Sequence, residues 1–150
     1  IDLTRWYLGD LPKVSGTTKT YFWDMPVDDN AFMTLETAKG QVAQLHETWT
    51  EWKNLFSLEI YGRVGKLHIE GLGGSYGQER LTYYKMLPQL GPPEATVWDF
   101  PGPDESWQAE WRNFKRAVAG AETACGDIED AYAALKIVKQ IYKENGCDYC

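Results

Sequence analysis

Apolar residues recur along this chain with two periods, first 2 and then about 3.6. In residues 31–37, Ala31, Met33 and Leu35 alternate with Phe32, Thr34 and Glu36. In residues 56–61, Phe56, Leu58 and Ile60 alternate with Ser57, Glu59 and Tyr61. Leu67 and Ile69 alternate with Lys66, His68 and Glu70, and Ala43, Leu45 and Trp49 share one parity of residues 41–52. Period 2 places successive side chains on opposite faces, so each segment reads as a strand with one buried face. Residues 13–23, rich in Thr, Tyr and Phe, and residues 95–100 read as further strands, while residues 76–84 fit a strand as easily as a helix. Lys39-Gly40 and the Gly62 to Gly65 segment read as hairpin turns, and short links imply antiparallel neighbours.

The period then lengthens. Trp107, Trp111, Phe114 and Val118 fall on one helical stripe, with Asp104 or Ser106 as N-cap and Gly120 as stop. A second helix is expected over residues 127–145, with Ile128, Ala131, Leu135, Val138 and Tyr142 as its stripe, Asp127 as cap and Gly146 beyond its end. Glu129 and Asp130 in its first turn and Lys139 and Lys143 near its end suit the macrodipole. Leu3, Trp6 and Leu8, closed by Gly9, read as the tail of a short opening helix. Strands first and helices last argue for an α+β fold: an open, predominantly antiparallel sheet with helices packed on one face. The expected layout is one domain over 1–150: a helix remnant at 1–9, sheet at 10–100, two helices at 104–145 and a tail at 146–150. No alternating βαβ pattern occurs, so no Rossmann domain is expected within these residues.

Composition narrows the function classes. Fifteen basic and 22 acidic residues leave a net charge of -7, which repels phosphate backbones and anionic membrane surfaces, so neither nucleic acid nor membrane is an expected partner. A chain of 150 residues buries roughly 68–70% of its unfolded surface and needs no staple. Cys125, Cys147 and Cys150 do not make a disulfide framework, which suggests a reducing, cytoplasmic setting. Seven Trp, nine Tyr and five Phe fit either aromatic cross-strand packing or a sugar-binding surface.

Several motifs suggest chemistry and fall short of it. Glycines at 71, 73, 74 and 77 resemble a dinucleotide loop, but a G-x-G-x-x-G match needs glycine at 76, where Tyr76 stands. That segment reads as a flexible turn. Cys147 and Cys150 form a C-x-x-C after a helix C-terminus, where the dipole has the wrong sign to activate a thiol, so it reads as a frayed tail. His46 and His68 lie in different strands beside Glu47 and Glu70 and read as polar sheet-face residues, with no metal site expected. The carboxylates Glu47, Glu51, Glu59 and Glu70 define no acid–base pair. Trp52, Lys53 and Asn54, at the end of one strand and the start of the next, combine an apolar plate with hydroxyl partners. They fit one wall of a polyol site, or aromatic packing plus a turn.

Four segments carry a family resemblance. They are Ile1-Asp-Leu-Thr-Arg-Trp-Tyr-Leu-Gly9, Asp28-Asp-Asn-Ala-Phe-Met-Thr-Leu35, Ser57-Leu-Glu-Ile-Tyr-Gly62 with Gly65-Lys-Leu67, and Asp130-Ala-Tyr-Ala-Ala-Leu-Lys-Ile-Val138. With them the chain resembles the C-terminal part of the glucose–fructose oxidoreductase / inositol dehydrogenase / MocA (Gfo/Idh/MocA) family over nearly its whole length. The resemblance implies a two-domain NAD(P)-dependent dehydrogenase. Its first domain binds the dinucleotide, and its second walls a sugar, polyol or nucleotide-sugar site and forms subunit contacts. Hydride passes between a secondary alcohol carbon and nicotinamide, and a Lys/Asp/His group handles the proton.

The family's opening helix follows a D-x-x-x-H-x-x-D pattern, whose last Asp matches Asp2. Its catalytic His and first Asp would precede Ile1, and its catalytic Lys belongs to the first domain. The resemblance therefore implies no catalytic and no cofactor-binding residue here, only substrate-wall positions: Asp2, Trp52 and Asn54, with Lys53 as a neighbour. The expectation is a substrate-binding domain that is catalytically silent alone. NAD or NADP would bind the full-length parent and not this piece, and association into a homo-oligomer would use the sheet face. The alternative is a stand-alone binding or assembly module that uses the same open sheet.

Overall fold

The computed structural model describes residues 1–89, 91–124 and 126–147. The elements in chain order are α1 (Asp2–Leu8), β1 (Lys13–Lys19), β2 (Asn30–Glu36), β3 (Val42–Thr48), β4 (Ser57–Tyr61), β5 (Gly65–Glu70), β6 (Glu79–Lys85), β7 (Glu94–Phe100), α2 (Ser106–Val118) and α3 (Ile128–Glu144). The α+β class read from the periodicity is borne out. Among the described residues all strand pairs are antiparallel, and they form two sheets, β1-β2-β3 and β4-β5-β6-β7. The chain divides into two compact units: Ile1–Thr50 with Ala124–Cys150, and Glu51–Thr123.

The first unit holds the three-stranded sheet, α1 and α3. Its core is Leu11, Met33, Leu35, Ile137 and Ile141, with Leu8, Val14, Ala31, Ala43 and Leu45 packed around it. Met33 and Leu35 lie on the β2 face that the alternation assigned to the interior. α3 packs on β1, and Gly16 permits the approach: a Cβ there would stand 3.2 Å from Ile141 Cγ2 and 3.0 Å from the Phe32 carbonyl oxygen. This contact decides which side of α3 faces inward. The helix has two apolar sides, and the buried one carries Ile137 and Ile141, whereas Ile128 and Leu135 of the expected stripe are exposed.

Both ends of α3 follow the sequence. The Asp127 side chain accepts from the N–H groups of Glu129 and Asp130, and the Asp130 side chain accepts from the Asp127 N–H, a reciprocal capping box. Arg5 of α1 donates to the Asp130 carboxylate at 3.1 Å and to its carbonyl at 3.3 Å, which ties the opening helix to the start of α3.

The second unit holds the four-stranded meander and α2. On one sheet face, Leu58, Ile60, Leu67, Ile69, Leu81 and Tyr83 line up across the strands. These side chains are half-buried, and among the described residues of this unit no apolar side chain is fully buried. α2 turns its stripe outward: Trp107 is 79% exposed, and Trp111, Phe114 and Val118 are exposed too. Its start differs from expectation. Glu105 occupies the N-cap position without a side-chain cap, while Asp104 accepts from the Ser106 N–H at 2.9 Å.

Candidate functional site

Trp52, Lys53 and Asn54 lie in the connection between β3 and β4, outside both strands, and all three are exposed. The strand expected over residues 41–52 stops at Thr48 because hydroxyls there compete with ladder pairing. The Thr50 N–H donates to Thr48 Oγ1 at 2.9 Å, and the two hydroxyl oxygens stand 2.8 Å apart. Beyond this turn Trp52 has φ 55, the left-handed region, and is the one non-glycine residue at positive φ among the described residues. A bulky side chain in that region is strained. The Trp52 side chain is 66% exposed.

Asp2 belongs to the other compact unit. It lies in the first turn of α1, exposed, 3.7 Å from the Arg5 guanidinium. Arg5 is also paired with Asp130 at 3.1 Å and lies 3.9 Å from Asp10. Thus Asp2 forms part of the charge set that holds α1, and Trp52, Lys53 and Asn54 belong to the second unit.

Both histidines lie on sheet faces. His46 Nε2 is 3.0 Å from Asn30 Oδ1, and its ring stacks on Phe32 at 4.4 Å. His68 Nε2 is 3.0 Å from Ser57 Oγ, with Glu70 at 3.7 Å and Glu59 at 4.0 Å. Among the described residues no group of three His, Cys, Asp or Glu side chains is placed to hold a metal ion. Cys147 lies 3.9 Å from the Asn145 carbonyl oxygen, while Cys125 and Cys150, and with them the C-x-x-C reading, fall outside the described residues.

Two charged arrangements were not read from the sequence. The first is Asp29, almost fully buried. Its carboxylate accepts from three successive backbone N–H groups, those of Tyr21, Phe22 and Trp23, at 2.8–3.1 Å, and from Asn30 Nδ2 at 2.9 Å. Burial opposes its ionisation, but the hydrogen bonds from Asn30 and the three N–H groups outweigh burial and hold the carboxyl well below the usual range. The clamp fixes a loop whose Tyr21 and Phe22 rings are exposed. Next to it, Asp28 accepts from the Tyr142 hydroxyl at 2.6 Å. The Asp28-Asp29-Asn30 segment is thereby a structural joint between the β1–β2 loop and α3.

The second arrangement is the ladder on the charged face of the four-stranded sheet. Glu59 accepts from the Tyr61 hydroxyl and from Lys66 Nζ, the latter at 2.9 Å, and these bonds, Tyr61 first, hold its carboxyl below the ordinary value. Lys66 stands over the rings of Tyr61 and Tyr84 at 5.4 and 5.3 Å, and its bond to Glu59 raises its pKa.

The glycine segment joins antiparallel β5 to β6 and opens no helix, so it lacks the setting of a dinucleotide loop. It lines a cleft of about 360 Å³ together with Glu79, Phe100 and Asp104. Glu79 and Phe100 are direct cross-strand partners, and Glu79 Oε1 accepts from the Gly73 N–H at 2.9 Å.

Comparison with known proteins gives a family-model match to part of the chain and similar folds among solved structures. Residues 1–68 match the model of the GFO/IDH/MocA C-terminal domain. No curated protein sequence matches the chain. Among solved structures, the fold is similar to that of a Desulfitobacterium hafniense protein assigned as an NADPH-dependent oxidoreductase (TM-score 0.79, 15% identity, covering 96% of this chain and 44% of that one). It is also similar to UDP-N-acetylglucosamine 3-dehydrogenase GnnA from Acidithiobacillus ferrooxidans (TM-score 0.73, 15% identity, 96% and 45%). A third is the WlbA dehydrogenase from Bordetella pertussis in complex with NADH and UDP-GlcNAcA (TM-score 0.67, 19% identity, 95% and 39%). The chain spans less than half the length of each of these structures. Residues 1–68 thus match the model of the GFO/IDH/MocA C-terminal domain, in line with the sequence resemblance, and the chain as a whole has a fold similar to part of these oxidoreductases.

Proposed function

We propose that this chain is the substrate-binding part of an NAD(P)-dependent oxidoreductase that moves hydride at a secondary alcohol of a sugar, polyol or nucleotide sugar. The observation that carries this reading is the coverage. The fold match takes in 96% of this chain and less than half of a nucleotide-sugar dehydrogenase. In this reading the cofactor loop and the catalytic Lys, Asp and His lie outside these residues. Trp52, Lys53 and Asn54 of the second unit contribute a wall of the substrate site, and Asp2 of the first unit is separately a substrate-facing position in this reading. Trp52 offers an exposed ring for the apolar face of a sugar, and Lys53 and Asn54 offer donors and an acceptor for its hydroxyls. The work of the chain is then to bind and orient, while nicotinamide, when bound to the preceding domain, supplies the hydride chemistry. The same reading places the protein in the cytoplasm, in keeping with its sparse cysteines. Among the described residues no helix is long and apolar enough to cross a membrane.

The test mixes the chain with NAD and NADP in turn and with UDP-N-acetylglucosamine. The expected result is no reduced nicotinamide and no tight cofactor binding. Turnover by the chain alone would overturn the assignment.

A second reading, association through the open sheet, is favoured by the second unit, which buries no apolar side chain fully among its described residues and exposes the α2 stripe. A surface of this kind drives self-association. The two readings are compatible, because one domain can wall a substrate and join subunits.

A further inference from the structure

We infer that the loop joining β1 to β2 and the turn after β3 form a docking surface for an arginine-bearing segment of a partner protein. The sheet register brings the two segments together. Lys19 pairs with Asn30 and Asn30 with Thr48, so β1 ends, β2 begins and β3 ends at one end of the three-stranded sheet. There the chain carries Tyr21, Phe22, Trp23 and Trp49, of which Tyr21, Phe22 and Trp49 are 68%, 62% and 76% exposed. All four belong to the first compact unit. They are distinct from residues 52–54, and the inference does not rest on the substrate-binding reading.

The loop is built to hold its rings in place. Its neck is closed by the Asp29 N–H, which donates to the Lys19 carbonyl at 3.0 Å, and by the Thr20 hydroxyl, which donates to the Val27 carbonyl at 2.8 Å. The buried Asp29 carboxylate accepts from the N–H groups of Tyr21, Phe22 and Trp23, so the backbone beneath three successive rings is fixed. The Phe22 and Trp23 rings meet edge to face, with centroids 5.2 Å apart. The Asp29 carbonyl accepts from the Trp49 N–H at 2.9 Å, and Asn30 Nδ2 donates to Thr50 Oγ1 at 3.1 Å, which locks the turn to the same clamp. Ordering a loop on binding lowers affinity, and a loop that is already ordered avoids that loss.

The chemistry around the rings selects a cation. Residues 20–30 and 46–50 contain four carboxylates, Asp24, Asp28, Asp29 and Glu47, and no Lys or Arg. Lys19, at the end of β1, offsets one of the four. Asp28 and Asp29 are taken up by the Tyr142 hydroxyl and by the loop N–H groups. Asp24 and Glu47 are exposed, and among the described residues neither has a hydrogen bond or an ion pair. A guanidinium satisfies both features at once, because it stacks on an aromatic face and donates to a carboxylate. Trp, Tyr and Arg are also the side chains that dominate the energetics of protein interfaces. An acidic or purely apolar segment would leave Asp24 and Glu47 uncompensated.

The test is an NMR titration of the intact chain with the peptide acetyl-Gly-Arg-Gly-Arg-Gly-amide and, separately, with its glutamate counterpart. The arginine peptide should shift the Tyr21, Phe22 and Trp23 amides and the Trp49 indole N–H saturably, and the glutamate peptide should not. Tyr21→Ser/Phe22→Ser removes two exposed rings and should weaken that binding about fivefold or more. Its urea midpoint should stay close to the parent's, because both rings lie at the surface. Asp24→Asn/Glu47→Gln should weaken binding in the same direction and reduce its dependence on salt. The inference is overturned if the arginine peptide leaves these signals unmoved, if the glutamate peptide binds as tightly, or if either double variant binds as the parent does. Shifts of the same signals with chain concentration alone would make a second copy the occupant and overturn it too. The Trp52 indole N–H reports the substrate reading, so the two stand or fall separately.

Discussion

Asp29 has no signature in a linear sequence, because the groups that hold it come from a loop that folds back eight residues earlier. Its carboxylate is bound by the backbone of Tyr21, Phe22 and Trp23 and by Asn30. The consequence is a pH dependence with a definite sign. A carboxyl whose folded pKa is depressed adds stability above its unfolded value, about 3.9 for Asp. That contribution is lost as pH falls through the range between the unfolded and folded values. Asp29→Asn should therefore destabilise the chain at neutral pH, and its urea midpoint should change less than the parent's as pH drops below about 4. Equal acid sensitivity in parent and variant would remove Asp29 from the account. By contrast Trp52, Lys53 and Asn54 were visible as a cluster from residue type alone. What the sequence hid was their setting: the Thr48–Thr50 hydroxyl turn that ends β3 early and the positive φ of Trp52.

At the scale of elements, strand parity was legible because period 2 has no competing solution once one face is buried. Met33 and Leu35 show it, both buried in the core. The orientation of α3 was not, because that helix offers two apolar sides and only a partner can choose between them. Gly16 makes the choice by letting β1 approach Ile141. Ile141→Ala should cost about 2–5 kcal/mol in urea unfolding, the usual price of a truncated buried isoleucine. Leu135→Ala, on the exposed side of the same helix, should stay within about 0.5 kcal/mol. Equal losses at both positions would mean that α3 packs on its other side. The stripe of α2 was found correctly from its spacing, yet Trp107, Trp111, Phe114 and Val118 are exposed. Amphipathicity says that a face seeks a partner, and it does not say where the partner is.

At the scale of the molecule, the two units differ in how they are held together. Among the described residues the first has a five-residue buried apolar cluster, and the second has a half-buried sheet face and an exposed aromatic helix. Sedimentation over a range of concentrations should therefore show a mass above that of the monomer, shifting toward monomer in Trp107→Glu/Trp111→Glu. A monomer at every concentration would contradict association. The family resemblance was legible from short segments whose reasons are now physical: Arg5 in the opening segment pins α1 to α3, and Asp28, Asp29 and Asn30 join a loop to α3 and to β3. The substrate was not legible, since the residues that would choose it act through placement in three dimensions. The central claim, that this domain holds a sugar-type substrate through the segment at residues 52–54, is tested most directly by an NMR titration of the chain with UDP-N-acetylglucosamine read at the Trp52 indole N–H and the Asn54 side-chain amide. The account predicts saturable shifts at both, lost in Trp52→Ala. Saturable binding that leaves both signals unmoved would contradict it.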